Sequence, residues 1–336
     1  MSPRPRVLSG IQPTADSFHI GNYLGALQYW PVMQATHECF YSVVDLHAFT
    51  VVTDPQVMHQ RTLVSYAQLI ATGIDPQRSA LFVQSHVPEH AELMWMLSCL
   101  TGFGEAGRMT QFKDKSSKAG ADSTNVGLFT YPILQAADII IYGANEVPVG
   151  EDQRQHLELS RDLAQRFNKR YGQTLVVPVP HIIKDTAKIT DLQDPTAKMS
   201  KSSPTGVVNL LDPLKTIEKR IKSAVTDSET EIRFDPAAKP GVSNLLSIIA
   251  GFTGRPIDEV TAGLQGRMYG DLKKEAAAAV LAFAEPFQAT VHELLEDRAE
   301  LERLMAEGAA KAHAVAAITL AAVYDAVGFV RGRALA

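Results

Sequence analysis

The segment His19-Ile20-Gly21-Asn22 carries residue types suited to chemistry at phosphate groups. It follows a predicted strand and turn and opens a predicted helix, whose free N–H groups attract anions. Gly21 allows a phosphate or a flat base to approach the backbone closely. His19 and Asn22 offer donors to oxygens whose charge grows during displacement at phosphorus. The structural alternative is an ordinary glycine-containing turn with a capping asparagine.

A second segment, Lys198-Met199-Ser200-Lys201-Ser202, lies in a polar stretch at residues 191–206 that contains proline and glycine. Its two lysines are point cations in a loop, which suits a lid that closes on a polyphosphate. A solvated linker between domains has a similar composition. The two segments together, in this order, predict attack on the α-phosphate of ATP.

The sequence around these segments alternates between strand and helix patterns. Short apolar runs predict strands at residues 6–10, 39–44 and 80–84, and helical patterns follow at 54–71, 89–100, 131–142 and 152–167. Asp54 is a predicted N-cap, with Pro55 at the first helical position. Such alternation implies parallel strands with right-handed crossovers. The predicted fold is therefore α/β, a Rossmann-like doubly wound parallel sheet with a C-terminal α-helical domain.

A change of pattern after Pro204-Thr205-Gly206 marks a predicted domain boundary, because the remaining sequence is almost wholly helical. We expect a Rossmann-like catalytic domain over residues 1–205 and a helical domain over residues 206–336. The alanine-rich last helix, within residues 300–328, is expected to pack back on the first domain. Glycine, serine and alternating charge at residues 101–130 predict a long loop.

Composition limits the class of protein. Hydrophobic residues make up 46% and charged residues 21% of the chain, as in soluble globular proteins. Because the net charge is −5, a nucleic acid would have to bind a local basic patch. Lys215, Lys219 and Lys222 form one such stripe on a predicted helix, although an ordinary solvated helix face is the favoured interpretation. Cys39 and Cys99 are predicted to be buried, reduced thiols of a cytoplasmic protein. Charged and polar residues interrupt every long apolar stretch, so no membrane span is predicted.

The segment TYPILQAADIIIY suggests a substrate pocket. On a helix, Tyr131, Leu134, Gln135 and Asp138 share one face. Asp138 is a single carboxylate among apolar residues, and a buried carboxylate needs partners. An indole N–H would match this acceptor, and so would a tyrosine hydroxyl, the protein backbone or an arginine.

Two other pairs of residues have the spacing of functional sites. Asp45 and His47 follow a strand and are two residues apart, so they are expected to point to one side, near the ligand edge of the sheet. Asp152 and His156 have the spacing of two metal ligands on a helix, but a third ligand is not evident. No protein-bound metal is predicted.

These motifs resemble the signatures of the class I aminoacyl-tRNA synthetases. The sequence His-Ile-Gly-Asn resembles the HIGH signature, and Lys-Met-Ser-Lys-Ser is identical to the second signature of that class. Longer similarity is to the bacterial tryptophanyl-tRNA synthetases. It runs through residues 9–27, 45–50, 108–115, 128–168, 188–202, 215–227 and 238–246, so it covers nearly the whole chain. Leu8 and Gln135 depart from the pattern, because many relatives carry an aromatic residue and a methionine there.

The resemblance implies site residues for three roles. Those implied in catalysis are His19, Asn22, Thr14, Lys113, Lys198 and Lys201. Those implied in ATP binding are Gln12, Pro13, Thr14, Gly21, Asn22, Gly150, Glu151, Asp152, Ile189, Lys198, Met199, Ser200, Lys201 and Ser202. Those implied in tryptophan binding are Asp138, Tyr131, Leu134, Gln135, Gln153, Leu8 and Gln12.

The resemblance also implies substrates and partners. They are ATP with Mg²⁺, L-tryptophan and tRNA(Trp), with a helical domain that binds the anticodon and a homodimer whose interface includes an insertion at about residues 101–145. Neither DNA nor a membrane is an expected partner. A tyrosine-specific synthetase of the same fold is the main alternative. The others are a different ATP-dependent adenylyltransferase and a non-catalytic tRNA-binding paralogue.

Overall fold

The computed structural model describes residues 4–52, 54–109, 125–144, 146–149, 154–182, 188–200, 203 and 205–330. Within these residues the sheet has five strands, all paired in parallel, in the order β3-β2-β1-β4-β5. The strands are β1 (Arg6–Ile11), β2 (Glu38–Val43), β3 (Ala80–Val83), β4 (Glu146–Val149) and β5 (Val179–Ile182). Strands β2 and β3 lie on one side of β1, and β4 and β5 lie on the other. The direction in which strands are added to the sheet therefore reverses between β1 and β4, and ligands bind at such a switch point. The predicted doubly wound fold is confirmed.

Helices cover both faces of the sheet and form the C-terminal part of the chain. In the first part they are α1 (Ile20–Gly25), α2 (Trp30–Met33), α3 (Asp45–Ala48), α4 (Pro55–Ala71), α5 (Glu89–Leu100), α6 (Phe103–Ala106), α7 (Val126–Ile141) and α8 (Arg154–Tyr171). In the second part they are α9 (Leu214–Lys222), α10 (Pro240–Thr253), α11 (Ile257–Gly263), α12 (Tyr269–Glu296) and α13 (Arg298–Val327). Short 3₁₀ turns lie at Leu27–Tyr29 and Gln84–His86.

Helix starts follow local capping chemistry. Asp54 caps α4 by accepting from the backbone N–H groups of Gln56 and Val57 at 2.9 and 3.0 Å, as predicted. Helix α7 begins five residues before the predicted start, because Asn125 accepts from the N–H of Leu128 at 2.8 Å and caps it there. The predicted loop at residues 101–130 was therefore too long at its C-terminal end.

Two apolar clusters hold the layers together. One joins the α4 side of the sheet to the helical part, and its members include Leu24, Tyr66, Leu246 and Val280. The other fills the opposite face between the sheet and helices α5, α7 and α8. Cys39 is buried as predicted, but Cys99 is exposed, because α5 buries the face that carries Leu93, Met96 and Leu97, and Cys99 lies outside that face.

Helix α13 packs against the edge strand β3 and helix α5. A Cβ atom added at Gly308 would lie 1.6 Å from the backbone oxygen of Leu81, so the helix backbone approaches the strand directly. The ammonium of Lys311 donates to the backbone oxygen of Pro76 at 2.5 Å, and Nδ1 of His313 lies 2.5 Å from Oε1 of Glu89. Among the described helices, α13 is the one long and apolar enough to cross a membrane by length and composition.

Candidate active site

The two signature segments lie side by side at the carboxyl edge of the sheet. The backbone N–H of Ile20 donates to the oxygen of Val208 at 3.0 Å, and the N–H of Leu210 donates to the oxygen of Phe18 at 2.8 Å. This short pairing joins the segment before α1 to the segment after the lysine loop. It accounts for the proximity of two motifs that are far apart in sequence.

The described part of the lysine loop is a tight hairpin above α1. The N–H of Met199 donates to the oxygen of Ile189 at 3.2 Å, and Thr190 bridges to Lys198. Met199 and Ile189 are buried, whereas Lys198 and Ser200 are exposed. A Cβ atom at Gly21 would lie 3.5 Å from Cβ of Met199 and 3.0 Å from Nδ1 of His19. Because a side chain at position 21 would crowd both His19 and Met199, Gly21 allows the two motifs to approach each other closely.

His19 and Asn22 form a reciprocal capping box at the start of α1. The N–H of Asn22 donates to Nδ1 of His19 at 3.2 Å, and the N–H of His19 donates to Oδ1 of Asn22 at 3.1 Å. Because Nδ1 accepts a hydrogen bond, a neutral His19 ring carries its proton on Nε2. The structural alternative of a capped turn therefore holds, and the same cap orients a ring N–H donor.

Asp138 lies at the centre of a buried polar cluster. Its Oδ1 accepts from Nε2 of Gln84 at 2.7 Å and from Nδ1 of His90 at 2.6 Å. Its Oδ2 accepts from Nε2 of His47 at 2.7 Å. Burial raises the pKa of the Asp138 carboxyl, but the interactions with His47, followed by those with His90, outweigh it and hold that pKa below its ordinary value. Asp138 is therefore an ionised acceptor.

One acceptor position of Asp138 remains open among the described residues. A carboxylate offers about four lone pairs, two on each oxygen. Gln84 and His90 occupy both positions on Oδ1, and His47 occupies one on Oδ2. Among the described residues, Oδ2 therefore keeps one lone pair for a further N–H or O–H donor.

The predicted neighbours of Asp138 lie on or beside α7. Tyr131, Leu134 and Leu8 are buried, and Gln135 is half-buried. The Tyr131 hydroxyl lies 3.2 Å from Nε2 of His156, and the Tyr131 ring stands edge-on to His47 with centroids 6.2 Å apart. His47 is thus contacted by the ring of Tyr131 and by Oδ2 of Asp138.

Comparison with known proteins identifies the family. Residues 2–285 match the family model of tRNA synthetases class I (W and Y). The chain is 59% identical over 330 residues to tryptophan–tRNA ligase 2 of Streptomyces avermitilis, with 98% of each protein covered. The chain belongs to the class I tRNA synthetases (W and Y). The predicted resemblance is therefore confirmed.

Solved structures agree with this assignment. The tryptophanyl-tRNA synthetase of Mycoplasma pneumoniae superimposes with a TM-score of 0.88 at 38% identity, over 97% of this chain and 98% of that one. The Campylobacter jejuni tryptophanyl-tRNA synthetase, solved with ADP and tryptophan, superimposes with a TM-score of 0.84 at 34% identity, over 96% of this chain and 100% of that one. The synthetase fold thus extends through the helical part of the chain.

The expected geometry of Asp45 and His47 was wrong. They lie on the helical turn α3 rather than on an extended strand end, so they point in different directions. Asp45 accepts from the N–H and hydroxyl of Ser85 at 3.0 and 2.5 Å, which ties the ends of β2 and β3 together. His47 alone faces Asp138.

Several site residues could not be found from the sequence pattern. Gln84 and His90 contact Asp138 from outside its own segment, and Tyr142 contacts His90. Asn244 of α10 holds the base of the lysine loop, accepting from the N–H of Thr190 at 2.9 Å and donating to its oxygen at 3.0 Å. Only the position of Gln84 directly after a strand offered a signal.

The remaining predicted site residues lie in the turn after β1 or outside the described residues. Gln12, Pro13 and Thr14 follow β1 in a turn in which the N–H of Thr14 donates to the oxygen of Gln12 at 2.9 Å. Seven predicted residues lie outside the described residues: Lys113, Gly150, Glu151, Asp152, Gln153, Lys201 and Ser202. In the described part of the chain, no cluster of three or more His, Cys, Asp or Glu residues has the arrangement of a metal site.

The lysine stripe of α9 follows the predicted amphipathic pattern. Ile217 and Ile221 are buried, while Lys215, Lys219 and Lys222 are exposed. Lys222 pairs with Glu218 one turn earlier. This pairing reduces the local positive charge of the stripe.

Proposed function

We propose that this chain is a tryptophan–tRNA ligase. It activates L-tryptophan with ATP to tryptophanyl-adenylate and pyrophosphate, and it then transfers the amino acid to tRNA(Trp). The observation that carries this proposal is the buried, ionised Asp138 with one open acceptor position at the ligand edge of the sheet. The chain's high identity to relatives named tryptophan–tRNA ligase, over nearly their whole length, supports tryptophan as the amino acid.

In the proposed amino-acid site, the indole N–H donates to Oδ2 of Asp138. The ring lies among Leu8, Tyr131, Leu134 and Gln135, with Gln12 and Gln153 toward the amino-acid end. A site that hydrogen-bonds a donor of the substrate rejects analogues without that donor by about 10⁴-fold or more in comparable enzymes. Phenylalanine is therefore a poor substrate of this site, while tyrosine remains the chemical competitor.

In the proposed nucleotide site, ATP lies over Gly21 with its adenine near Ile189 and Met199. Gly150, Glu151 and Asp152 follow β4 and approach the ribose, and Ser200 and Ser202 flank the phosphates. The tryptophan carboxylate attacks the α-phosphorus in line, and pyrophosphate leaves. No general base is needed, because the carboxylate is already ionised at neutral pH.

The catalytic contribution of the protein in this proposal is electrostatic. Lys113, Lys198 and Lys201, with the Mg²⁺ ion that accompanies ATP as substrate, stabilise charge on the leaving pyrophosphate. His19, Thr14 and Asn22 donate to the same oxygens. The exposure of Lys198 beside the buried Met199 supports this arrangement. The Met199 side chain anchors the loop in the core, and the Lys198 side chain stays in solvent, where it is available to the phosphates.

The remaining proposals concern assembly and location. Residues 1–205 form the catalytic domain and residues 206–336 bind the tRNA anticodon. The protein acts in the cytoplasm as a homodimer, with residues 101–145 at the interface. The exposed side chains of Phe103 and Val126 within this region, and of Trp95 on the preceding helix α5, support an apolar interface.

Amino-acid-dependent exchange of pyrophosphate into ATP tests the proposal. The purified chain is assayed with Mg²⁺, ATP and, in separate reactions, tryptophan, tyrosine and phenylalanine, followed by charging of total tRNA with each. We expect exchange and charging with tryptophan only. Exchange with tyrosine in preference to tryptophan would favour the tyrosine-specific alternative, and no exchange with any amino acid would refute the ligase assignment.

A further inference from the structure

A buried histidine and a buried tyrosine lie behind Asp138. His90 is on α5, and Tyr142 directly follows α7, one helical turn after Asp138. Both side chains are fully buried. Nδ1 of His90 lies 2.6 Å from Oδ1 of Asp138, and Nε2 of the same ring lies 2.7 Å from the Tyr142 hydroxyl oxygen. His90 therefore connects Tyr142 to Asp138.

The direction of the hydrogen bonds in this chain follows from its two ends. An ionised carboxylate only accepts, so Nδ1 of His90 must donate to Asp138. In a neutral ring Nε2 is then the acceptor, and the Tyr142 hydroxyl must donate to it. Burial, and then the charges of Asp138 and Glu89, raise the pKa of the Tyr142 hydroxyl, so that it keeps its proton. The hydrogen bonds run from Tyr142 to His90 to Asp138.

Aromatic packing restricts both rings. The Phe40 ring stacks on Tyr142 with centroids 4.4 Å apart and 20° between the planes. The Phe82 ring contacts both partners, with centroids 5.7 Å from Tyr142 and 5.8 Å from His90. Phe40 and Phe82 come from the neighbouring strands β2 and β3. The sheet therefore holds the two rings in place, and a hydrogen bond between them has a defined direction.

We propose that Tyr142 and His90 are positioning residues for amino-acid recognition. Tyr142 selects the His90 tautomer whose Nδ1–H donates to Asp138, and His90 fixes the carboxylate so that the open position on Oδ2 faces the substrate. This inference rests on the proposed function, because it assigns the open position to the indole N–H of tryptophan. Partners that orient a binding group in this way change affinity without contacting the ligand.

The substitution Tyr142→Phe tests the first step, because it removes one oxygen atom and leaves the ring in place. Tyr66→Phe is the matched control, since Tyr66 is also fully buried and its hydroxyl donates to a backbone oxygen, that of Leu81, at 3.0 Å. Full-length variants are assayed by pyrophosphate exchange with tryptophan and ATP varied in turn. We expect Tyr142→Phe to raise the KM for tryptophan about tenfold, as for one lost buried hydrogen bond. The kcat at saturating tryptophan and the KM for ATP stay unchanged, and Tyr66→Phe changes neither KM.

The pair His90→Asn and His90→Leu tests the second step. An asparagine amide nitrogen lies close to the position of the imidazole Nδ1, so His90→Asn keeps the donor to Asp138, whereas His90→Leu removes it. Both lose the bond to Tyr142. We expect the KM for tryptophan to be lower in His90→Asn than in His90→Leu by about tenfold. A purely structural role for His90 would affect both variants alike and would also lower kcat.

The outcomes separate the inference from the proposed function. A wild-type chain without tryptophan-dependent exchange refutes the proposed function and the inference with it. An active wild type refutes the inference alone if Tyr142→Phe shifts the KM for tryptophan no more than Tyr66→Phe, or if His90→Asn behaves like His90→Leu. Thermal melting shows which variants fold, and where a His90 variant does not fold, the Tyr142→Phe result decides.

Discussion

Replacing Asp138 by asparagine would remove the charge of the buried acceptor and keep its shape. The amide oxygen can take the place of Oδ1 and keep the hydrogen bonds from Gln84 and His90. The NH₂ group must then take the place of Oδ2, facing His47 and the substrate. His47 can adapt by changing its tautomer, because its Nε2 can accept as well as donate. The indole N–H cannot adapt, because it only donates.

The expected loss in tryptophan recognition is that of one hydrogen bond to a charged group. Such a bond contributes about 1.5–3 kcal/mol, which corresponds to roughly 10- to 150-fold. We expect kcat/KM for tryptophan in pyrophosphate exchange to fall by about that factor, while the KM for ATP stays unchanged. Asp45→Asn is the control, since Asp45 lies on the same turn as His47 but bonds Ser85. An Asp138→Asn enzyme with wild-type efficiency for tryptophan would refute this account of the pocket.

The same substitution has a consequence for stability in acid. Because the pKa of Asp138 is held below its ordinary value, about 3.9, its ionisation stabilises the fold above that pH. This contribution is lost as the pH falls through the lower pKa of the folded state. We therefore expect wild type to lose more stability than Asp138→Asn between about pH 4 and pH 2, measured by denaturant unfolding. Equal losses would mean that Asp138 titrates like a free carboxyl.

Two further substitutions test the packing around the site. Gly308→Ala places a Cβ atom against the Leu81 backbone, so we expect it to destabilise the folded chain by about 1–3 kcal/mol or more. Its control is Gly270→Ala, also in a helix but with open space among the described residues, which should stabilise the chain by about 0.5–1 kcal/mol. Equal melting temperatures of the two variants would contradict the close approach of α13 to β3. Asn244→Ala removes both hydrogen bonds to the Thr190 backbone and should lower the kcat of pyrophosphate exchange without changing the KM for tryptophan. Asn244→Asp keeps the bond from the Thr190 N–H and should retain more activity. An unchanged kcat in both variants would contradict the role of Asn244 in anchoring the lysine loop.

The sequence predicted those elements that local chemistry determines. Helix α4 begins where Asp54 can cap it, and helix α5 has the predicted bounds of Glu89 and Leu100. The alternation of strands and helices was sufficient to predict the parallel sheet. A helix between two strands forms a crossover connection, and such a connection makes the two strands parallel. The early start of α7 was missed because its cap, Asn125, follows Ser123 and Thr124 and precedes Gly127, a composition typical of loops.

The sequence by itself determined the family and the chemistry, since two short motifs carry the groups that hold a nucleotide. It also singled out Asp138, because an isolated carboxylate among apolar residues needs partners. Only the tertiary structure decided which partners those are. His47, Gln84 and His90 reach Asp138 from three segments, and Asn244 reaches the lysine loop from the helical part of the chain. Such contacts depend on how layers pack, and local sequence patterns do not encode that packing.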